Sequence, residues 1–235
     1  VGVGTLVGHS VPRLEDCEML RGQSTFLDDI HLSDETHVIF IRSIEAHAEI
    51  VSIDTEAARL CPGVIDVLTG ADLAVDGIGG VPWEVLPVSE KGSADKTVPP
   101  GDPGIARPQP AMPEDRVLFV GQIVAMVIAN TPDTARDAAE KIVVIFDSLS
   151  AVVDVCAATE AGAPVVDPQF PDNVCFRLAF GDKEKTDEAF ARAAHVTRIR
   201  HVQNRGVGAP IETRGYIGDW DTGSGKFTLH ATAGK

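Results

Sequence analysis

The densest set of groups able to do chemistry stands near the end of the chain: Gln203-Asn204-Arg205-Gly206-Val207-Gly208-Ala209-Pro210-Ile211-Glu212-Thr213-Arg214-Gly215. It places an amide, two guanidinium groups and a carboxylate in a Gly/Pro-rich loop between expected strands. Small residues let backbone N–H groups approach a ligand closely. Arg205 and Arg214 suit either an anionic group or the Glu212 carboxylate. The residues alone leave two uses open: a ligand-binding loop, or a buried Glu–Arg pair that locks the loop.

Other patterns are weaker. Gly2, Gly4 and Gly8 miss the dinucleotide fingerprint by one residue, and no strand precedes them. Gly223-Ser224-Gly225-Lys226 has the ending of a phosphate-binding loop. The position needing its first glycine is Trp220, so a turn is expected. No G-x-S-x-G elbow occurs, and no histidine pair has i, i+4 spacing with an acidic partner. No catalytic or metal-ligating residue is therefore assigned. His47, set between Ala46 and Ala48, is expected to be a hydrogen-bonded structural histidine. Cys17, Cys61, Cys156 and Cys175 lack metal-site spacing and are expected to be reduced, buried thiols of a cytoplasmic protein.

A net charge of −15 repels phosphate backbones and anionic membranes, so neither nucleic acid nor a membrane is expected as a partner. The N-terminus has no basic and long apolar pattern of a signal peptide, and no stretch reaches the roughly 18 apolar residues of a membrane span. With aromatic residues at only 5%, the core must rest on Val, Ile, Leu and Ala.

The elements that would position these groups follow from pattern. Residues 36–44 predict a strand buried on both faces, and 49–54 a second. Thr55 predicts the N-cap of a short helix that Pro62-Gly63 stops, and Val64–Leu68 a third strand closed by Thr69-Gly70. Residues 74–113 hold eight of the fifteen prolines and read as an excursion across a partner or a surface loop. After strands within 116–129, Thr131-Pro132 predicts a helix with Ala135, Ala138, Ala139 and Ile142 on its apolar face. The strand Ile142–Phe146 then suggests a βαβ unit with a right-handed crossover. Residues 154–172 read as a linker and domain boundary. Beyond them come a strand over 174–180, a helix over 186–194, and strands at 195–203 and 215–220. A hairpin turn at 221–225 joins the last of these to Phe227–His230. The strand over 227–232 lacks charged residues, so a partner strand is expected to continue its sheet.

Several short phrases stand in a fixed order along the chain: Arg13-Leu14-Glu15-Asp16, Phe26-Leu27-Asp28-Asp29-Ile30, Arg42-Ser43-Ile44-Glu45-Ala46-His47-Ala48-Glu49-Ile50, Pro62-Gly63-Val64-Ile65-Asp66-Val67-Leu68-Thr69-Gly70, Phe119-Val120-Gly121-Gln122-Ile123-Val124-Ala125 and Pro210-Ile211-Glu212-Thr213-Arg214-Gly215. Together they resemble the N-terminal part of the large subunit of the molybdenum hydroxylases, the xanthine dehydrogenase, aldehyde oxidase and carbon monoxide dehydrogenase family. The resemblance implies an α+β fold: an N-terminal arm (1–19), an α/β hammerhead domain (20–153), a linker (154–172) and the beginning of a molybdopterin-binding domain (173–235). Phe180-Gly181-Asp182 and Phe190-Ala191-Arg192-Ala193-Ala194-His195 are similar to the opening of that domain. The family's Tyr-x-x-Leu-Pro phrase stands here as Phe146-Asp147-Ser148-Leu149-Ser150.

The resemblance further implies oxidation of an aldehyde, N-heterocycle or similar small molecule with oxygen from water. The implied cofactor is a molybdenum-bearing molybdopterin cytosine dinucleotide. Electrons would pass through two [2Fe–2S] clusters to FAD on an iron–sulfur subunit and an FAD subunit. Gly206, Val207 and Glu212 are the cofactor-binding residues it implies. Gly206 stands where some members place a Gln near the metal, which suggests a pocket unlike that of the xanthine enzymes. The family's Gly-Gly-x-Phe-Gly loop, its pocket loops and its catalytic glutamate would lie beyond Lys235. The chain is therefore expected to need the remainder of the molybdopterin subunit for catalysis. The alternative is a non-catalytic hammerhead-fold binding or assembly module.

Overall fold

The computed structural model describes residues 8–81, 96–97, 108–175, 179–204 and 206–232. The chain divides into two compact units, residues 36–198 and residues 1–35 with 199–235. The boundary expected at 154–172 falls inside the first. The second unit begins with a short helix α1 (Asp16–Leu20), whose entry is held by Arg13, and a 3₁₀ turn at Leu27–Asp29.

The unit 36–198 is built on two antiparallel sheets. In chain order its elements are β1 (His37–Arg42), β2 (Ala48–Asp54), α2 (Glu56–Arg59), β3 (Val64–Thr69), α3 (Gly70–Val75), β4 (Lys96–Thr97), β5 (Arg116–Val117), β6 (Ile123–Ala129), α4 (Pro132–Ala139), β7 (Val143–Ser148), β8 (Ala179–Phe180) and α5 (Lys183–Arg192). One sheet has the order β1-β6-β3 and the other β5-β2-β7, while β4 pairs with β8. Ile39, Val127 and Val67 stand opposite one another across the first sheet. There Val67, Val127 and Ala129 meet Ala58 of α2 and Ala135 and Ala138 of α4. A smaller cluster of Ala48, Val117 and Val124 lies under the second sheet. Because β6 supplies Val127 to one cluster and Val124 to the other, it is the spine of the unit. The core is made of Val and Ala, as the scarcity of aromatic residues led us to expect.

Several expectations are corrected. β1 alternates half-buried and exposed residues instead of being buried on both faces. Helices α2 and α4 pack on one face of its sheet, leaving Val38 and Phe40 on the other. There is no parallel βαβ unit at 123–148. β6 already carries β1 and β3 on its two edges, and β7 pairs antiparallel with β2 in the other sheet. Thr55 does not cap α2 with its side chain. Its hydroxyl accepts from Arg59 Nε, and Asp54 holds the Glu56 N–H instead. Residues 195–203 form no strand because no neighbouring strand supplies a ladder to them. Of the strand expected at 174–180, Ala179–Phe180 forms, and 176–178 lie outside the described residues. Helix α5 starts three residues before its expected start, because the Asp182 carboxylate accepts the Lys185 N–H at 3.0 Å. Most of the excursion at 74–113 also lies outside the described residues.

The linker expected at 154–172 is tied down. Asn173 donates to the carbonyls of Ala158 and Pro164, both at 2.8 Å, and accepts the Val166 N–H at 2.9 Å. Three of the four cysteines, Cys17, Cys156 and Cys175, are exposed, and Cys61 is buried. A thiol side chain is small enough to stay outside a core that aliphatic residues already fill.

Helix α4 forms as expected. Thr131 accepts the Thr134 N–H at 3.1 Å, with Pro132 in the first turn. Thr131→Ala is expected to cost about 1 kcal/mol, read as a lower urea midpoint at unchanged slope. Strand β3 runs straight into α3. The Asp72 carboxylate accepts both the N–H and the hydroxyl of Thr69 at 2.7 Å. The Thr69 hydroxyl beside it holds the Asp72 carboxyl below the usual carboxylate range, with the Thr69 N–H and Arg59 acting in the same direction against burial. A lowered folded-state pKa means the stabilisation is complete above the ordinary Asp value of about 3.9 and is lost as pH falls through the lower folded value. Asp72→Asn is therefore expected to lower the urea midpoint at neutral pH, and the gap from wild type should close as the solution is acidified below about pH 4. A gap independent of pH would show that the charge plays no part.

Candidate functional site

The polar loop belongs to the unit formed by residues 1–35 and 199–235. It leads into a β-hairpin, β9 (Tyr216–Asp221) and β10 (Lys226–Ala231), joined at the expected turn. That turn is built by Asp221, which accepts from the Gly223 N–H at 2.9 Å and the Ser224 hydroxyl at 2.6 Å. The Ser224 hydroxyl, with backbone N–H groups of the turn, holds the Asp221 carboxyl below its usual range. Gly225 has φ +67°, a conformation that favours glycine. Trp220 and Phe227 face each other across the strands with centroids 4.2 Å apart. They lie on one face with Tyr216 and Leu229, and that apolar face is exposed, Phe227 to 75%.

Thr232 closes the base of the hairpin. Its hydroxyl accepts the Gly215 N–H at 2.8 Å and donates to the Thr213 carbonyl at 3.0 Å, and its own N–H reaches the Gly215 carbonyl. One phrase of the loop is thereby fixed to the end of β10.

The other anchor comes from far away in sequence. Glu212 Oε1 accepts the backbone N–H of Leu27 at 2.9 Å in a half-buried contact. Leu27 opens the 3₁₀ turn, which Asp29 holds by accepting the Phe26 N–H. The Leu27 side chain packs so closely on Gly215 that a Cβ there would collide with its Cδ2 atom. Two of the short phrases, around Leu27 and around Glu212, are thus one structural joint. Of the two arginines that could pair with Glu212, Arg214 makes no ion pair with it among the described residues, and Arg205 lies outside them. Leu27 is the participant that sequence reasoning missed. A backbone N–H carries no residue signature, so only its place in one of the ordered phrases pointed to it.

Gly206 and Val207 lie on an exposed stretch, and a Cβ on Gly206 or Gly208 would meet nothing within 4 Å. The joint therefore brings Glu212 to Leu27 and leaves the glycine segment open. Among the described residues no three His, Cys, Asp or Glu converge in a way that could hold a metal ion.

Three of the remaining phrases, at 42–50, 62–70 and 119–125, lie in the unit 36–198. The Ser43 N–H donates to the Gln122 carbonyl and the Gly121 N–H to the Ser43 carbonyl, both at 2.8 Å, while Gln122 Oε1 accepts the Leu118 N–H. His47, 4% exposed, contacts the Ser150 carbonyl through Nδ1 at 2.8 Å, and its Nε2 has no partner among the described residues. Three buried polar residues of this unit, Ser43, His47 and Gln122, thus come from the phrases and satisfy backbone groups. His47 is buried and hydrogen-bonded to backbone.

Residues 21–150 match the family model described as aldehyde oxidase and xanthine dehydrogenase, a/b hammerhead domain. The chain belongs to that family, and its mixed α+β architecture carries the hammerhead fold. It is 34% identical to the nicotine 6-hydroxylase large subunit of Paenarthrobacter nicotinovorans, over 92% of this chain and 24% of that protein. Its structure is similar to carbon monoxide dehydrogenase from Oligotropha carboxidovorans, with a TM-score of 0.77 and 31% identity over 96% of this chain and 27% of that one. It is also similar to quinoline 2-oxidoreductase from Pseudomonas putida 86, with a TM-score of 0.72 and 31% identity over 94% and 26%. The chain spans about a quarter of the length of the relatives it matches. No helix among the described residues is long and apolar enough to cross a membrane.

Proposed function

We propose that this chain is the N-terminal part of the molybdopterin subunit of a molybdenum-dependent hydroxylase that oxidises an aldehyde, an N-heterocycle or a similar small molecule. The observation that carries the reading to particular residues is the Glu212–Leu27 hydrogen bond, which fixes one end of a loop whose glycines stay open. The residues fit a pterin group. Gly206 and Val207 are exposed, and the space beside Gly206 is open, so a phosphate or a ring edge could approach the backbone there. Glu212 is the positioning residue, holding the loop through Leu27. When bound, the molybdenum–pterin group supplies a two-electron oxidation with oxygen taken from water. We assign it the cytosine dinucleotide form, with electrons leaving through two [2Fe–2S] clusters and FAD on companion subunits in the cytoplasm.

The need for further polypeptide is supported by the hairpin. Its face of Tyr216, Trp220, Phe227 and Leu229 is exposed, and a two-stranded ribbon is marginal in water. A partner strand on β10 would extend the sheet, and further polypeptide packed on that face would bury it. Native mass spectrometry of the protein from its own source, with molybdenum and iron analysis, tests the reading. A complex holding companion polypeptides, molybdenum and iron is expected. A species of 24.9 kDa alone without either metal would overturn it and leave a non-catalytic module.

A further inference from the structure

Cys61 and Lys141 meet in a way that neither the fold nor the proposed chemistry requires. Cys61 follows the C-terminus of α2, and Lys141 follows that of α4, the two helices that cover one face of the sheet β1-β6-β3. Lys141 Nζ lies 3.0 Å from Cys61 Sγ. The thiol hydrogen points the other way, toward the Ala57 carbonyl at 3.3 Å, so a sulfur lone pair faces the lysine. Sulfur is a weak acceptor, and an exposed lysine ordinarily keeps its ammonium in water. Lys141 is an exposed residue that makes no ion pair with a carboxylate among the described residues, and Asp137 contributes only a more distant attraction. Cys61 itself is buried, with 9% of its surface exposed, so a small oxidant has only a narrow approach to it. A thiol held beside a cation is a setting in which cysteine is oxidised selectively once an oxidant reaches it.

We propose that Cys61 and Lys141 are an oxidative modification site, at which a hydroperoxide converts the pair into a covalent sulfur–nitrogen cross-link. In the first step the Cys61 sulfur attacks the peroxide. An S–O bond forms, the O–O bond breaks, the sulfur loses two electrons to the peroxide, and hydrogen peroxide leaves as water. The contact with the Cys61 sulfur holds the Lys141 proton more tightly than usual, so release of that proton limits the second step. Lys141 then gives a proton to solvent. In the second step its amine attacks the sulfenic sulfur, an S–N bond forms, the S–O bond breaks, and water leaves. The net change is the loss of two hydrogen atoms. The bond would tie the turn after α2 to the turn after α4, across 80 residues of chain, and would be undone by a thiol reductant.

The test uses the full chain, in whatever complex it is isolated, with the exposed cysteines removed by Cys17→Ser, Cys156→Ser and Cys175→Ser. After graded hydrogen peroxide, peptide mass mapping is expected to find Cys61 and Lys141 joined in one cross-linked species. That species should be lighter by two hydrogens than the sum of its peptides and be released by dithiothreitol. Lys141→Arg keeps the charge but not the amine. It should give no cross-link, and its Cys61 should proceed to the sulfinic acid. The unoxidised Lys141→Arg protein should melt like the parent, and the parent alone should gain thermal stability after peroxide. If Lys141→Arg fails to fold, Lys141→Gln makes the same comparison. An unmodified Cys61 in the parent would overturn the proposal. So would oxygen addition at the same rate with and without Lys141 and no joined peptide.

Discussion

Gly70→Ala is expected to destabilise the unit 36–198 by about 2–4 kcal/mol, although alanine is the better helix former by close to 1 kcal/mol. Gly70 is the first residue of α3 and is buried. A Cβ placed on it would lie against the Pro113 carbonyl oxygen, 2.6 Å from the Pro113 carbonyl carbon and 2.9 Å from the Met112 oxygen. All three are backbone atoms, so no side-chain rotation relieves the clash. Met112 is itself buried, so the strand end and the segment at 112–113 must separate as bodies. The urea midpoint measures the loss. A variant within about 0.5 kcal/mol of wild type would mean that the close approach is not kept in solution. Gly63 offers a contrast: it has φ +88°, and its added Cβ would meet the movable Thr134 side chain at 3.3 Å. An alanine there would be strained chiefly by its backbone conformation.

Glu212→Ala is expected to release the polar loop. The Leu27 N–H would lose a half-buried, charged acceptor, a change worth about 1.5–3 kcal/mol to the local joint. Amide hydrogen exchange is the direct readout: the Leu27 amide should exchange faster, while β6 should be unaffected. Glu212→Gln keeps an acceptor oxygen and should lose only part of the protection. In the assembled enzyme the alanine variant should retain less molybdenum cofactor, with activity falling in proportion to the cofactor lost. Unchanged exchange at Leu27 would remove the joint from the argument. Faster exchange with full cofactor retention would leave the joint intact and remove Gly206 and Val207 from the cofactor site.

Much of the local structure was legible because its signals are local. Thr131-Pro132 marks a helix start through one hydroxyl and a missing N–H, and α4 follows it. The turn at 221–225 is written in an acidic residue and two glycines, and the hairpin follows. Helix α3 stands where Thr69-Gly70 predicts only a turn, and its local signal is the three-residue spacing of Thr69 and Asp72, a capping box. The βαβ expectation failed for another reason. Strand, helix and strand in succession specify the elements but not which edges they occupy, and both edges of β6 are taken.

The candidate site was legible in part. Glu212 stood out by type and setting, whereas its partner is a backbone N–H 185 residues away. The ordered phrases pointed to the family, and their buried polar members Ser43, His47 and Gln122 hold backbone groups near strand ends.

The sequence by itself determined the family, the aliphatic character of the core, the helix α4 and the closing hairpin. Each of these depends on residue order or on bonds between near neighbours. Only the tertiary structure decided that β6 and β7 belong to different sheets, that Gly70 faces the backbone of Pro113, that Lys141 reaches Cys61, and that Glu212 is held by Leu27. These contacts join segments separated by tens to nearly two hundred residues. Backbone groups and small atoms make them, and such groups leave no mark in residue type until packing brings them together.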